Sequence, residues 1–170
     1  MNDKIRKLLS RPGLLVPLAA IPFIALVLFI LLQFSNDQTK LSVENISSTA
    51  TIPLTINTKA GEVKFQVETA LNATEWENGL MYRQTMAPDH GMIFIFPQSS
   101  KRSFWMKNTY IPLDIIFLDT NKRIINISQN ATPLRQDIIY DSKSPSMYVL
   151  EVNAGISTNL GLESGDQANF

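Results

Sequence analysis

Apolar positions recur with period two over most of the chain downstream of residue 51, and this alternation predicts strands. GEVKFQVET puts Val63, Phe65 and Val67 on one face and Lys64, Gln66 and Glu68 on the other, the pattern of a half-exposed strand. TIPLTIN before it, with a KAG turn at 59–61, completes a hairpin. GMIFIFP (91–97) is apolar on both faces, as a central strand is. SFWMKN (103–108) and LDIIFLD (113–119) predict two more strands, joined across Thr109 to Pro112. Turn chemistry at DTNK (119–122) folds RIINIS back on the second of them. A long polar loop spans 129–146, MYVLEVN (147–153) is the last strong strand, and AGISTNLGLESGD closes with a helical turn and a Gly-rich bend.

The period changes in NATEWENGLMYR. Thr74 followed by Glu77 reads as a capping box, and Trp76, Leu80 and Arg83 fall on one helical stripe. Gly79 lets that helix approach a neighbour closely. The predicted fold is therefore mainly β (α+β): a compact antiparallel sheet or barrel-like domain with one packed helix.

Upstream the pattern is of another kind. LLVPLAAIPFIALVLFILLQF, Leu14 to Phe34, carries no charge. A helix of that length at about 1.5 Å per residue spans roughly the hydrocarbon thickness of a bilayer. Lys4, Arg6, Lys7 and Arg11 precede it against Asp3 alone, which keeps the N-terminus in the cytoplasm. The run exceeds an ordinary signal-peptide core, and SNDQTKLS after it offers no small-residue cleavage site. The organisation predicted is a basic cytoplasmic segment (1–11), a transmembrane anchor in the lipid bilayer (12–34), a polar linker (35–51) and an exported β-rich domain (52–170). That topology is a single-pass protein of a bacterial inner membrane with its C-terminal domain in the periplasm.

Charge refines this reading. The whole chain is neutral, with 15 basic and 15 acidic side chains. Four of the basic and one of the acidic lie within residues 1–35, so the remainder has 11 against 14, a net of −3. An acidic exported domain is a poor partner for a phosphate backbone, which argues against nucleic acid. Without cysteine there is no disulfide frame and no lipoprotein attachment site.

Several chemistries are disfavoured by residue type. Zinc sites draw on several Cys or His ligands, and His90 is the one His beside no Cys. A Ser-His-Asp triad would have to use the same His90, in a loop-like context. Neither common phosphate-loop motif occurs, so no cofactor and no metal is expected. Asp119, Thr120 and Asn121 lack the Gly and distal Glu of a calcium loop and read as a hairpin turn.

What remains is a polar group set among apolar strands: Arg83, Trp105, Lys107, Asn108, Asp114 and Glu151. Alternation puts Trp105 and Lys107 on one face and Phe104, Met106 and Asn108 on the other. In the architectural reading, Lys107 or Arg83 neutralises Asp114 or Glu151, Asn108 ties down the Tyr110–Pro112 bend, and Trp105 belongs to the core. In the other reading these groups line a pocket with Trp105 as its floor, suited to a sugar or another small polar ligand. The architectural reading is preferred, with the pocket as alternative.

GLMYR (79–83), GMIFIF (91–96), FWMKNTYIPLDIIFLD (104–119) and YVLEVNAG (148–155) resemble, in order and spacing, the family known as domain of unknown function 192, over roughly residues 60–170. The resemblance implies a compact, mostly antiparallel β fold with a packed helix, commonly exported, and no established activity. Members often carry Pro-Cys where this chain has Pro133 and Leu134, which removes any thiol chemistry from that loop. The leading functional expectation is a membrane-anchored periplasmic domain that binds a small polar ligand or a partner protein without catalysis. Alternatives are an accessory subunit of a membrane protein complex and a hydrolase of envelope glycans using Asp114 and Glu151 as its carboxylate pair.

Overall fold

The computed structural model describes residues 50–170. The expected cytoplasmic segment, the anchor at 12–34 and nearly all of the linker lie outside the described residues. Among the described residues no helix is long and apolar enough to cross a membrane.

Among the described residues nine strands and two short helices follow one another: β1 (Ile52–Thr58), β2 (Gly61–Ala70), α1 (Ala73–Asn78), β3 (His90–Ser100), β4 (Ser103–Phe104), β5 (Leu113–Leu118), β6 (Ile124–Ala131), β7 (Tyr140–Asp141), β8 (Ser146–Asn153), α2 (Ile156–Asn159) and β9 (Gln167–Asn169). Seven strands form one sheet in the order β6-β5-β8-β3-β2-β1-β9, and β4 pairs with β7 as a separate ribbon. The sheet curls into a half-barrel until its edges meet. Arg123 bridges to Gln167, Ile124 N donates to Asp166 O at 2.9 Å, and Ala168 N donates to Lys122 O at 2.9 Å.

The curl gives the sheet two covered faces. Leu54, Ile56, Phe65, Val67, Ile93, Ile116, Leu150 and Val152 fill the inner one, joined by Ala168 and Ile124 from the two edges. Met92, Phe94, Phe96, Ile115, Phe117 and Val149 cover the outer one, against Leu80, Met106 and Ile111 from the connections. This is why GMIFIFP and the IIFL of β5 carry apolar side chains on both faces: residues alternate between two cores, not between a core and water.

The mainly β architecture agrees with the pattern, and the β1–β2 hairpin turns at Lys59 and Ala60 as expected. Several elements differ. The sheet is not wholly antiparallel, because β2 and β3 run parallel, joined by a crossover that contains α1. The expected strand at 103–108 stops at Phe104. Asn108 then takes a left-handed φ of 55°, and Met106 N donates instead to Arg135 O at 3.0 Å. The edge strand β9 carries too little apolar pattern in QAN to be read in advance.

The helix is also shorter than its pattern. Its cap is Asn72, which accepts from Glu75 N at 3.1 Å while Glu75 Oε2 accepts from Leu71 N at 2.6 Å. The cap therefore sits two residues before the expected Thr74 and Glu77, with Glu75 reaching back to the amide that precedes the cap residue. Gly79, at φ 44°, ends the helix after six residues, so Trp76, Leu80 and Arg83 share no continuous helical stripe. A Cβ at Gly79 would stand 3.1 Å from Phe94 Cζ, which is the close approach anticipated for that glycine.

Candidate functional site

Strand register decides which polar side chains can meet. On β8, Val149 and Glu151 point to the outer face, and Leu150 and Val152 to the inner one. Glu151 stands opposite Met92 on β3 and Ile115 on β5, while Asp114 stands opposite Val152. Asp114 and Glu151 thus lie on neighbouring strands but on opposite faces of the sheet. They cannot flank one glycosidic bond, and the expected carboxylate pair is corrected.

Asp114 has a structural task. Opposite Leu113–Ile115, β6 carries one extra residue, a bulge that puts Asn130 at φ 54°. Asp114 Oδ1 accepts the amide of Asn130 at 2.9 Å, and its Oδ2 accepts Ser157 N at 2.9 Å and Ser157 Oγ at 2.6 Å. One buried carboxylate ties the bulge to the start of α2.

Arg83 does not reach Asp114 or Glu151. Its guanidinium pairs with Glu68, Nη2 lying 2.6 Å from Oε1 and 2.8 Å from Oε2. The period-two pattern placed Glu68 on an exposed face with Lys64 and Gln66. The second core reaches far enough along β2 to bury Glu68, while its two companions stay exposed.

Asn108 closes a strained junction. Its Nδ2 donates to Tyr82 Oη at 2.8 Å and its carbonyl accepts Tyr82 N at 2.7 Å, with Tyr82 itself at φ 63°. The tie runs to Tyr82, not to the Tyr110–Pro112 bend. The Tyr82 and Tyr110 rings meet edge to face at 6.2 Å, both exposed.

Three of the six expected residues do come together. Between α1 and the 104–109 loop opens a crevice lined by Trp105, Lys107 and Glu151, with Trp76, Phe104 and Gly79 completing its walls. The β4–β7 ribbon holds the loop in place. Phe104 packs edge-on against Phe94 at 5.1 Å and against Phe117 at 5.9 Å, and Met106 plugs into the core below. Trp105 is consequently turned outward and is 42% exposed, which corrects its assignment to the core. Lys107 Nζ lies 5.1 Å over the Trp105 ring, and among the described residues no carboxylate pairs with it.

Glu151 forms the end of the crevice. It is 5% exposed, and among the described residues no side chain or amide donates to its carboxyl group. Burial therefore pushes its pKa up to about 8, which favours the neutral acid at neutral pH. The half-open space beside it is about 30 Å³, room for one water or an ammonium-sized group. A shallower groove of about 360 Å³ adjoins it, sharing Trp76, Glu77, Phe104 and Trp105 and bounded by Phe96, Lys101 and Arg102. Trp76, Glu77 and Phe104 were missed as lining residues, because the crevice is made by a loop folding over a helix, which no local pattern encodes.

His90 sits apart with Nδ1 2.8 Å from Asp89 Oδ1. Asp119 accepts from Asn121 N at 2.7 Å and Arg123 N at 2.9 Å, the hairpin turn expected of it. Among the described residues no three His, Cys, Asp or Glu side chains gather to hold a metal.

Similar chains are found among solved bacterial structures. A crystal structure from Sinorhizobium meliloti 1021, of a protein called a "putative transcription regulator", is 42% identical, with a TM-score of 0.69 over 72% of this chain and 95% of that one. A protein of unknown function from Novosphingobium aromaticivorans DSM 12444 is 35% identical, with a TM-score of 0.71 over 74% of this chain and 89% of that one. No curated protein matches. The model of the uncharacterized ACR family DUF192 matches residues 55–170, and the chain belongs to that family.

Proposed function

We propose that the chain is a membrane-anchored binding protein of the bacterial periplasm, whose 12–34 segment sits in the inner membrane and whose Glu151 crevice takes a small polar ligand. One observation carries the binding half of this reading. A carboxyl group only 5% exposed, met by no side chain or amide among the described residues and with its oxygens still open to the crevice, is placed to accept from an arriving hydrogen-bond donor. The aromatic walls and the Lys107 ammonium, which no carboxylate among the described residues pairs with, give such a ligand orientation. Binding is preferred to glycan hydrolysis because Asp114 is committed to Ser157 and Asn130 on the other face. The exposed Tyr82–Tyr110 pair favours a second form of the reading, in which a partner protein carries the inserted group and the chain serves as an accessory subunit.

The test uses the two tryptophans, both of which line the crevice. Intrinsic fluorescence of the full chain in detergent is titrated with amines, carboxylates and sugars, alongside Glu151→Gln. A compound that perturbs the parent and loses its hold on the variant supports the reading. A panel that perturbs neither protein, or both equally, overturns it. For the membrane half, a reporter active only outside the cytoplasm and fused after Phe170 is expected to be active, and a silent, stably expressed fusion would refute the topology.

A further inference from the structure

The crevice holds two opposite charges' worth of unsatisfied chemistry. Among the described residues Glu151 offers a carboxyl group that no protein donor meets, and Lys107 an ammonium that rests on the Trp105 ring and that no carboxylate pairs with. The neighbouring cations differ from Lys107. Lys101 Nζ donates to Ser142 O at 3.0 Å, while Arg102 donates to the carbonyls of Ser146 and Gln98 and covers the Phe96 ring at 3.8 Å. Lys107 and Glu151 line one crevice and yet do not pair with each other.

We infer that the crevice recognises a zwitterion, an amino carboxylate whose ammonium group enters to Glu151 and whose carboxylate meets Lys107, with an apolar body on the aromatic walls. The inference rests on the crevice reading above and narrows it to a ligand class. Size agrees with the orientation: the narrow space of about 30 Å³ beside Glu151 suits a compact ammonium group, and the wider groove beside it suits the body of the ligand. Charge supports it as well, because an ammonium lets Glu151 ionise against a partner, and a buried charge is tolerated when paired. The adjoining groove of about 360 Å³, walled by Trp76, Phe96, Phe104 and Trp105, has room for an apolar or aromatic body.

A matched set of four probes isolates the charges: phenylalanine, 2-phenylethylamine, 3-phenylpropionate and 2-phenylethanol. Each is titrated calorimetrically into the full chain in detergent, and into Glu151→Gln and Lys107→Met. Phenylalanine is expected to bind at least about tenfold more tightly than the other three, a margin of about 1.4 kcal/mol. Glu151→Gln should weaken phenylalanine and the amine, and Lys107→Met should weaken phenylalanine and the propionate. The ranking on the parent protein alone decides the inference if either variant folds poorly. Phenylalanine binding no more tightly than the amine or the alcohol overturns the zwitterion, and Glu151-dependent binding of those two would leave the crevice reading standing. Phenylalanine binding that ignores both variants, or no binding by any probe, also overturns it.

Discussion

Glu68 and Glu151 stand on either side of Met92 on the same face of the sheet, and only Glu68 meets a cation among the described residues. Two buried carboxyl groups, about two strand spacings apart or roughly 10 Å, are thus held in different ways. Arg83 gives Glu68 a short ion pair with both carboxylate oxygens engaged. Glu151 has the aromatic walls of the crevice, and burial there favours its neutral, protonated form. The first arrangement closes a structure, and the second leaves binding chemistry open.

Removing the cation from the closed pair should be costly. Arg83→Met strands Glu68 in the outer core, and loss of one partner from a buried pair costs on the order of 3–5 kcal/mol. Glu68→Leu alone leaves Arg83, a quarter exposed, free to reach water and should cost less. The double variant should recover much of the loss. A double-mutant cycle by chemical denaturation measures this, and coupling near zero would show that the pair contributes nothing.

Glu151 makes stability depend on pH with a defined sign. Its folded pKa of about 8 lies above the ordinary 4.5, so the folded state binds the extra proton. This contribution is fully present below about pH 4.5 and is lost as pH rises to about 8, amounting to at most about 5 kcal/mol. The charged groups facing it are Glu77 on α1 and Lys107 on the loop, with the Glu68–Arg83 pair beyond Met92. Glu151→Gln, a neutral isostere of the acid, should be close to the parent at low pH and more stable at high pH. Parallel stability curves across that window would contradict it.

Asp114 should behave as a structural residue. Alanine there deprives the amides of Asn130 and Ser157 and the Ser157 hydroxyl of their acceptor at a fully buried site. A loss on the order of 3–5 kcal/mol is expected. Ser157→Ala removes one of the three bonds and should cost about 1 kcal/mol. Melting temperatures of the two variants check the ranking, and an Asp114→Ala protein as stable as the parent would refute it.

The sequence pattern revealed strands more readily than partners, for a physical reason. Period-two alternation reports which face a residue takes, so β1, β2, β5, β6 and β8 were legible from apolar positions alone. It does not report what covers that face. Glu68 reads as solvent-facing because Lys64 and Gln66 share its parity, and only the second core separates them. Glu151 was legible as an anomaly, a carboxylate in step with Val149, but its lack of a partner depends on where Arg83 and Lys107 go. The loop after Phe104 misled because FWMKN alternates like a strand, while Asn108 at φ 55° and the bond from Met106 N to Arg135 O turn it aside.

The two tryptophans offer the sharpest separation between structure and binding. Trp76 donates Nε1 to Ala70 O at 2.9 Å and packs 4.9 Å from Phe96, so its ring belongs to the fold. Trp105 is 42% exposed, with the Lys107 ammonium 5.1 Å over its ring. A Trp in a core costs about 3–5 kcal/mol on truncation, whereas an exposed site away from such packing costs about 0.5 kcal/mol or less. Trp76→Ala is therefore expected to lower the melting temperature clearly, and Trp105→Ala to change it little. Trp105→Ala should instead remove the wall against which a ligand body lies and release Lys107 to the solvent, weakening ligand binding in a protein that remains folded. A large loss of stability on Trp105→Ala would return that ring to the core, and an unchanged affinity for a bound probe would remove it from the site.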